Sequence, residues 1–259
     1  MLLIRLLLVP LLVVLLTLAG RRWGPAVAGW LTGFPIVAGP ILLLIALEQG
    51  PAFASDAALW SLSVVLANVC FGIAYSWAAR RLPWWLCLVA GSIGFAAGAL
   101  ALSWHPLPPW PALALTIGGL WLAPRAFPRV QPVTPLPASG RCELPARMLA
   151  GAAMVAMVTF LAQRMGPHVS GILTVYPVMS LVLAVFSHRQ AGPAHAIRLL
   201  GGVVGGLYAF SAFCFAVGML LPLMGIAPGF VLALACALVV QAVTFCFRHP
   251  QLVAGWRRR

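Results

Sequence analysis

The sequence predicts an all-α polytopic membrane protein of about nine transmembrane helices, arranged as an inverted 5+4 internal repeat. Three observations predict it. The chain is too apolar for a soluble domain, one block of sequence occurs twice, and the arginines gather in every second connection between apolar segments.

Of 259 residues, 63% are hydrophobic and 7% charged, and the mean hydropathy is +1.05. Soluble domains do not have this composition. Most residues are needed for spans, which excludes a nucleotide-binding or large extracellular domain. A spanning helix takes about 20 mostly apolar residues. The expected spans are Leu2–Ala19, Pro25–Leu47, Ala57–Ala79, Pro83–Trp104, Leu107–Ala123, Arg147–Gln163, Gly166–Ser187, Ile197–Leu221 and Ile226–Phe247. The fifth is short and Pro-bounded. The first has the length of a signal peptide. A similar segment, Arg147–Gln163, precedes the second copy of the repeat, so the first is expected to be a retained helix.

The repeat is direct. Residues 24–52 read GPAVAGWLTGFPIVAGPILLLIALEQGPA, and residues 166–194 read GPHVSGILTVYPVMSLVLAVFSHRQAGPA. They align without a gap at an offset of 142, with ten of 29 positions identical. Shared hydrophobicity would match Leu and Val. Here Gly24/Gly166, Pro25/Pro167, Thr32/Thr174, Pro35/Pro177, Gly50/Gly192 and Pro51/Pro193 match in register. Duplication of this kind in a membrane protein points to a transporter core. The expected organisation is a first repeat of five spans over 1–123, a cytoplasmic Pro-rich linker over 124–146, a second, inverted repeat of four spans over 147–247, and a basic tail over 248–259.

Charge orients the spans. All sixteen basic residues are Arg. With the N-terminus outside, fourteen of them fall on the inside and only Arg5 and Arg164 outside, as the positive-inside rule requires. Glu48 and Asp56 fall in the first outer loop. The C-terminus is then cytoplasmic. Lys-free, Ala- and Gly-rich usage points to a bacterial inner membrane. The net charge of +13 is explained by span ends, so nucleic acid is not an expected partner. The first block then opens at the inner surface and the second at the outer, which inverts one repeat relative to the other.

Each block opens Gly-Pro, a favourable helix start. Thr32 and Thr174 follow at a depth of about 12 Å at the helical rise per residue, approaching the midplane from opposite sides. Pro35 and Pro177 come three residues later. A Pro inside a helix deprives the carbonyl four residues back, Leu31 or Leu173, of its donor, and in hydrocarbon that group needs another partner. The expected substrate site lies where the two interrupted helices meet, with Thr32, Pro35, Asn68, Thr174, Tyr176 and Pro177 as candidates. Ordinary helix kinks and close packing are the competing explanation. Asn68, the only Asn, sits mid-span and either lines the site or bonds between helices. Tyr208 and Ser211 are weaker candidates. Ser61 and Ser63 read as packing residues, and Gly201, Gly202, Gly205 and Gly206 as a close-packing face.

No Asp or Glu lies deep in a span, which disfavours a carboxylate proton relay. His168 and His188 sit near span ends. Arg22 and Arg164 are repeat-related and guard opposite mouths, where they would draw in an anionic or zwitterionic solute; topology already accounts for Arg22. The six cysteines form no C-x-x-C or Cys/His cluster and read as small packing residues, so no metal or cofactor is expected. Motifs for zinc hydrolysis, nucleophile elbows, P-loops and dinucleotide binding are missing from the chain.

Inverted repeats with interrupted helices resemble secondary transporters in general, and the five-helix repeat is loosely similar to bile-acid-symporter-like folds. The resemblance covers the span pattern and implies no residue roles. The expected function is a secondary transporter or facilitator moving a small solute by alternating access. A non-catalytic membrane scaffold or assembly subunit is the alternative, and an intramembrane lipid-modifying enzyme the third reading. Expected partners are the lipid bilayer, the solute and a second copy in a homo-oligomer.

Overall fold

The structure, a computed structural model, describes residues 2–35, 38–103, 107–131, 143–164 and 176–248. Among these, every regular element is helical: α1 (Leu2–Trp23), α2 (Pro25–Thr32), α3 (Ala38–Gln49), α4 (Pro51–Ser63), α5 (Val65–Ala78), α6 (Trp84–Ser103), α7 (Pro109–Ala126), α8 (Glu143–Arg164), α9 (Val178–Ala191), α10 (Pro193–Met224) and α11 (Ile226–Arg248). Four segments are long and apolar enough to cross a membrane: Pro51–Ala78, Trp84–Leu102, Pro193–Met224 and Ile226–Phe247. The chain is a multi-pass, all-α membrane protein.

Single glycines separate several helices. Gly24, Gly50, Gly192 and Gly225 have φ of 92°, 91°, 84° and 79°. With ψ near 170° this is backbone that only glycine adopts without strain. Three of the four are followed by Pro at the next helix's first position, where a missing N–H costs nothing. Repeat-related Gly50 and Gly192 match in detail. The Gly50 N–H donates to the Ala46 carbonyl at 3.1 Å, and the Gly192 N–H to the His188 carbonyl at 3.0 Å. Positions 46 and 188 are again 142 apart.

The joint at Gly50 corrects one expectation. No outer loop separates Glu48 from Asp56; Glu48 is in the last turn of α3 and Asp56 on the exposed side of α4. The Gly-Pro pair turns the chain in one residue, so the third apolar segment starts at Pro51 instead of Ala57. A second break, at Val64, divides it into α4 and α5.

α10 is the centre of the packing. It meets α2, α4, α5, α7, α9 and α11. Its buried face includes Leu200, Val203, Val204 and Leu207 in one apolar cluster and Phe213, Val217 and Leu221 in a second. The closest approach is to α2, through Gly29 and Gly33 on one helix and Gly202 and Gly206 on the other. A methyl at Gly29 would overlap the Leu199 carbonyl, and one at Gly206 the Trp30 carbonyl. The close-packing expectation for this glycine face therefore holds at Gly202 and Gly206, where small residues let the two backbones touch.

Cross-helix contacts sort the helix ends into two groups. At one end, Arg147 at the start of α8 bonds Thr17 near the end of α1 at 3.0 Å. There too the Trp77 indole donates to the Ala126 carbonyl at 2.8 Å, joining the ends of α5 and α7. Tyr75 lies 3.2 Å from His188 Nδ1, and Arg189 stacks over Trp84. At the other end, Ser55 at the start of α4 donates to the Gly218 carbonyl near the end of α10 at 2.6 Å, and Trp110 meets Phe215. The end of α1 meets the start of α8, and the start of α4 meets the end of α10, so each pair runs antiparallel. It follows that the Gly50 and Gly192 joints lie at opposite ends.

Candidate functional site

The interruption after α2 is real, and the carbonyls of Ala28, Leu31 and Pro35 around it are all bonded. Thr32 is half-buried, and its hydroxyl donates back to the Ala28 carbonyl at 2.7 Å. The Leu31 carbonyl, expected to be left without a donor by Pro35, accepts from the Phe34 N–H at 3.1 Å. The helix tightens its last turn before the break, which supplies the missing bond. Pro35 is buried, and its carbonyl accepts from the Gly39 N–H at 2.8 Å.

A residue that the apolar pattern concealed adds a further bond. Gln241 of α11 is 6% exposed and donates through Nε2 to the Trp30 carbonyl at 3.2 Å. Three residues on, Thr244 accepts the Trp30 indole N–H at 3.1 Å, and Phe245 packs against that ring at 4.9 Å. Gln241 Oε1 is buried without a hydrogen-bond partner. The signal was available: Gln241 is the one amide in its span, as Asn68 is in its own.

The second Thr-x-x-Pro segment is described from Tyr176 onward. Thr174 lies outside the described residues, as does the side chain of Arg164, whose backbone ends α8. Tyr176 stands just before α9, its hydroxyl 2.6 Å from Ser92 Oγ of α6. Phe95 and Phe71 meet its ring edge-on, with centroids at 5.2 and 6.4 Å. Pro177 is buried and caps α9. Trp30, near the first break, is thus bonded to α11, a later helix, and Tyr176 to α6, an earlier one.

Asn68 is half-buried on α5, one turn before Gly72 and on the same face. That face meets Leu200 of α10. The helices carrying Thr32, Asn68 and Pro177 therefore share α10 as neighbour, but no hydrogen bond joins these side chains among the described residues. Arg22 is exposed and stacks over Trp23 at 5.8 Å, which fits an interfacial anchor.

A cleft of about 540 Å³ opens at the arginine-rich end. Ala26 and Trp30 of α2, Ile197, Gly201 and Gly202 of α10, and the segment after α7 line it, with Arg198 beside them. It stops at the α2–α10 glycine crossing and does not include Thr32 or Asn68. Among the described residues, no three His, Cys, Asp or Glu side chains gather as a metal site would need.

Among the described residues, Arg147 is the largest fully buried side chain, 1% exposed. Charge patterning placed it among the arginines that orient spans. Its guanidinium bonds Thr17 and, at 2.5 Å, Gln190 Oε1, and stacks over Phe186. Burial by α1 and α9 depends on tertiary packing, which charge counting along the sequence does not read.

No protein-family model matches this chain, and comparison with curated proteins and with solved structures finds no match.

Proposed function

We propose that this chain is a secondary transporter or facilitator that moves a small solute by alternating access, and is not an enzyme. In this reading it forms nine spans as an inverted 5+4 repeat in a bacterial inner membrane, with the N-terminus outside and the C-terminus in the cytoplasm. The observation that carries it is the pair Gly50–Pro51 and Gly192–Pro193. The same tripeptide-length signal, 142 residues apart, makes the same turn at opposite ends of the bundle. Two halves related in this way can exchange inward and outward conformations. The antiparallel pairing of α1 with α8 and the packing of α2 and α9 against α10 support the same reading.

The solute is proposed to be anionic or zwitterionic, held near Thr32, Asn68, Thr174 and Tyr176. Inward opening would separate α2 from α10 at the glycine crossing and extend the cleft toward Thr32. In the described conformation that crossing is closed, and the carbonyls of Ala28, Trp30 and Leu31 are all bonded. This saturation favours a second reading, a non-catalytic scaffold or assembly subunit with a dry centre.

A thermal-stability screen of the purified protein across small solutes separates the two, because a ligand that binds only the native state raises apparent stability by mass action. A transporter yields a stabilising solute whose uptake into proteoliposomes is lost in the Thr32→Val/Thr174→Val double variant. Normal uptake in that variant removes the proposed site, and no stabilising solute across a broad library favours the scaffold.

A further inference from the structure

We infer that the cleft beside Arg198 is a binding site for one anionic phospholipid, with the phosphate on Arg198 and an acyl chain along the apolar walls. This assignment does not depend on whether the protein moves a solute.

The walls have the chemistry of a lipid chain. Trp30, Phe127, Val130 and Ile197 are apolar, and Ala26 and Gly201 keep the space open. A methyl built on Gly201 meets nothing within 4 Å. Among the described residues, Arg198 is the single charged one in the lining. Its Nε donates to the Gln131 carbonyl at 3.1 Å, which fixes the plane of the guanidinium. Among the described residues no carboxylate pairs with it. Glu48 and Asp56 lie beside the Gly50 joint at the far end, and the Glu143 side chain is outside the described residues. An ester phosphate would supply the missing counter-charge in the geometry guanidinium favours.

The level of the cleft favours a lipid over a soluble anion. Around the same end, Arg80 lies over Trp77 at 5.1 Å, Arg125 over Trp121 at 4.2 Å and Arg189 over Trp84 at 5.4 Å. All three indoles are exposed. Exposed tryptophan with arginine marks the headgroup level of a membrane protein, and a basic pocket between helices at that level suits an anionic headgroup. Arg125 and Arg129, both exposed, adjoin the lining residues Pro124 and Pro128 and add to the attraction.

The test is native mass spectrometry of the full chain from a neutral detergent, titrated with dioleoyl phosphatidylglycerol or dioleoyl phosphatidylcholine. The wild type is expected to retain one phosphatidylglycerol with a preference of about tenfold, the low end of the scale for hydrogen bonds to a charged group. Arg198→Gln should remove that preference, and Gly201→Trp should reduce retention of both lipids by filling the cleft. Arg80→Gln, which alters a belt arginine that does not line the cleft, should change neither. Equal retention of the two lipids by the wild type overturns the assignment, as does undiminished preference in Arg198→Gln. Displacement of the lipid by an equal concentration of glycerol 3-phosphate overturns it in favour of a soluble anion. If Gly201→Trp fails to unfold cooperatively, Arg198→Gln decides.

Discussion

The guanidinium of Arg147 lies 3.0 Å from Thr17 Oγ1 and 2.5 Å from Gln190 Oε1, tying α8 to α1 and α9 around a buried charge. Arg147→Leu should lower stability by about 1.5–3 kcal/mol, the usual scale for hydrogen bonds to a charged group. Arg147→Lys should rescue little, since an ammonium cannot reproduce the planar fork that reaches both partners. Thermal unfolding in a neutral detergent checks both, and a wild-type midpoint in Arg147→Leu would show the contact to be dispensable.

Gly50→Ala and Gly192→Ala should each cost about 1–3 kcal/mol, because a Cβ is strained at their φ of 91° and 84°. Space is not the cause, since a methyl at either position meets nothing within 4 Å. The two losses should be similar and should add in the double variant, the joints being at opposite ends. Unfolding of the three variants measures this, and a tolerated alanine at one joint alone would break the equivalence.

Gly206→Val should separate α2 from α10, because the added side chain meets the Trp30 carbonyl and the Gly33 backbone. Overpacking of this kind typically costs about 1–3 kcal/mol. Gly201→Ala, next to Gly202 in the chain but facing open space, should be close to neutral. The contrast is read in one unfolding series, and equal effects at the two glycines would contradict the crossing.

Gln241→Leu removes the donor that holds the Trp30 carbonyl. A buried acceptor left unpaired costs about 1–3 kcal/mol; the lost Oε1 is already without a partner, so the net loss should fall at the low end. Amide exchange at Trp30–Phe34 should rise in the variant, and unchanged protection would show that α11 does not hold the break.

The helices were legible because apolar runs and Gly-Pro pairs carry local information. The turn at Gly50 reads as a loop in the sequence because Glu48 and Asp56 are typical loop residues, yet both fit on exposed faces of adjoining helices. At the first break, Pro35 correctly marked the interruption. The fate of the Leu31 carbonyl depended on how tightly the previous turn closed, which propensity does not determine. Gln241 and Arg147 were missed as partners for a different reason. Their roles arise from contacts 211 and 130 residues distant in the chain, and the offset of 142 relates equivalent positions, not touching ones.

Opposed halves are tested most directly at the repeat-related alanines Ala52 and Ala194, each one residue past its Gly-Pro joint. With the six native cysteines replaced by alanine, Ala52→Cys and Ala194→Cys are exposed in turn to a membrane-impermeant maleimide on intact cells. Ala52→Cys should be labelled from outside, and Ala194→Cys only after the membrane is opened. Labelling of both from the same side would contradict the inverted repeat and the alternating-access function built on it.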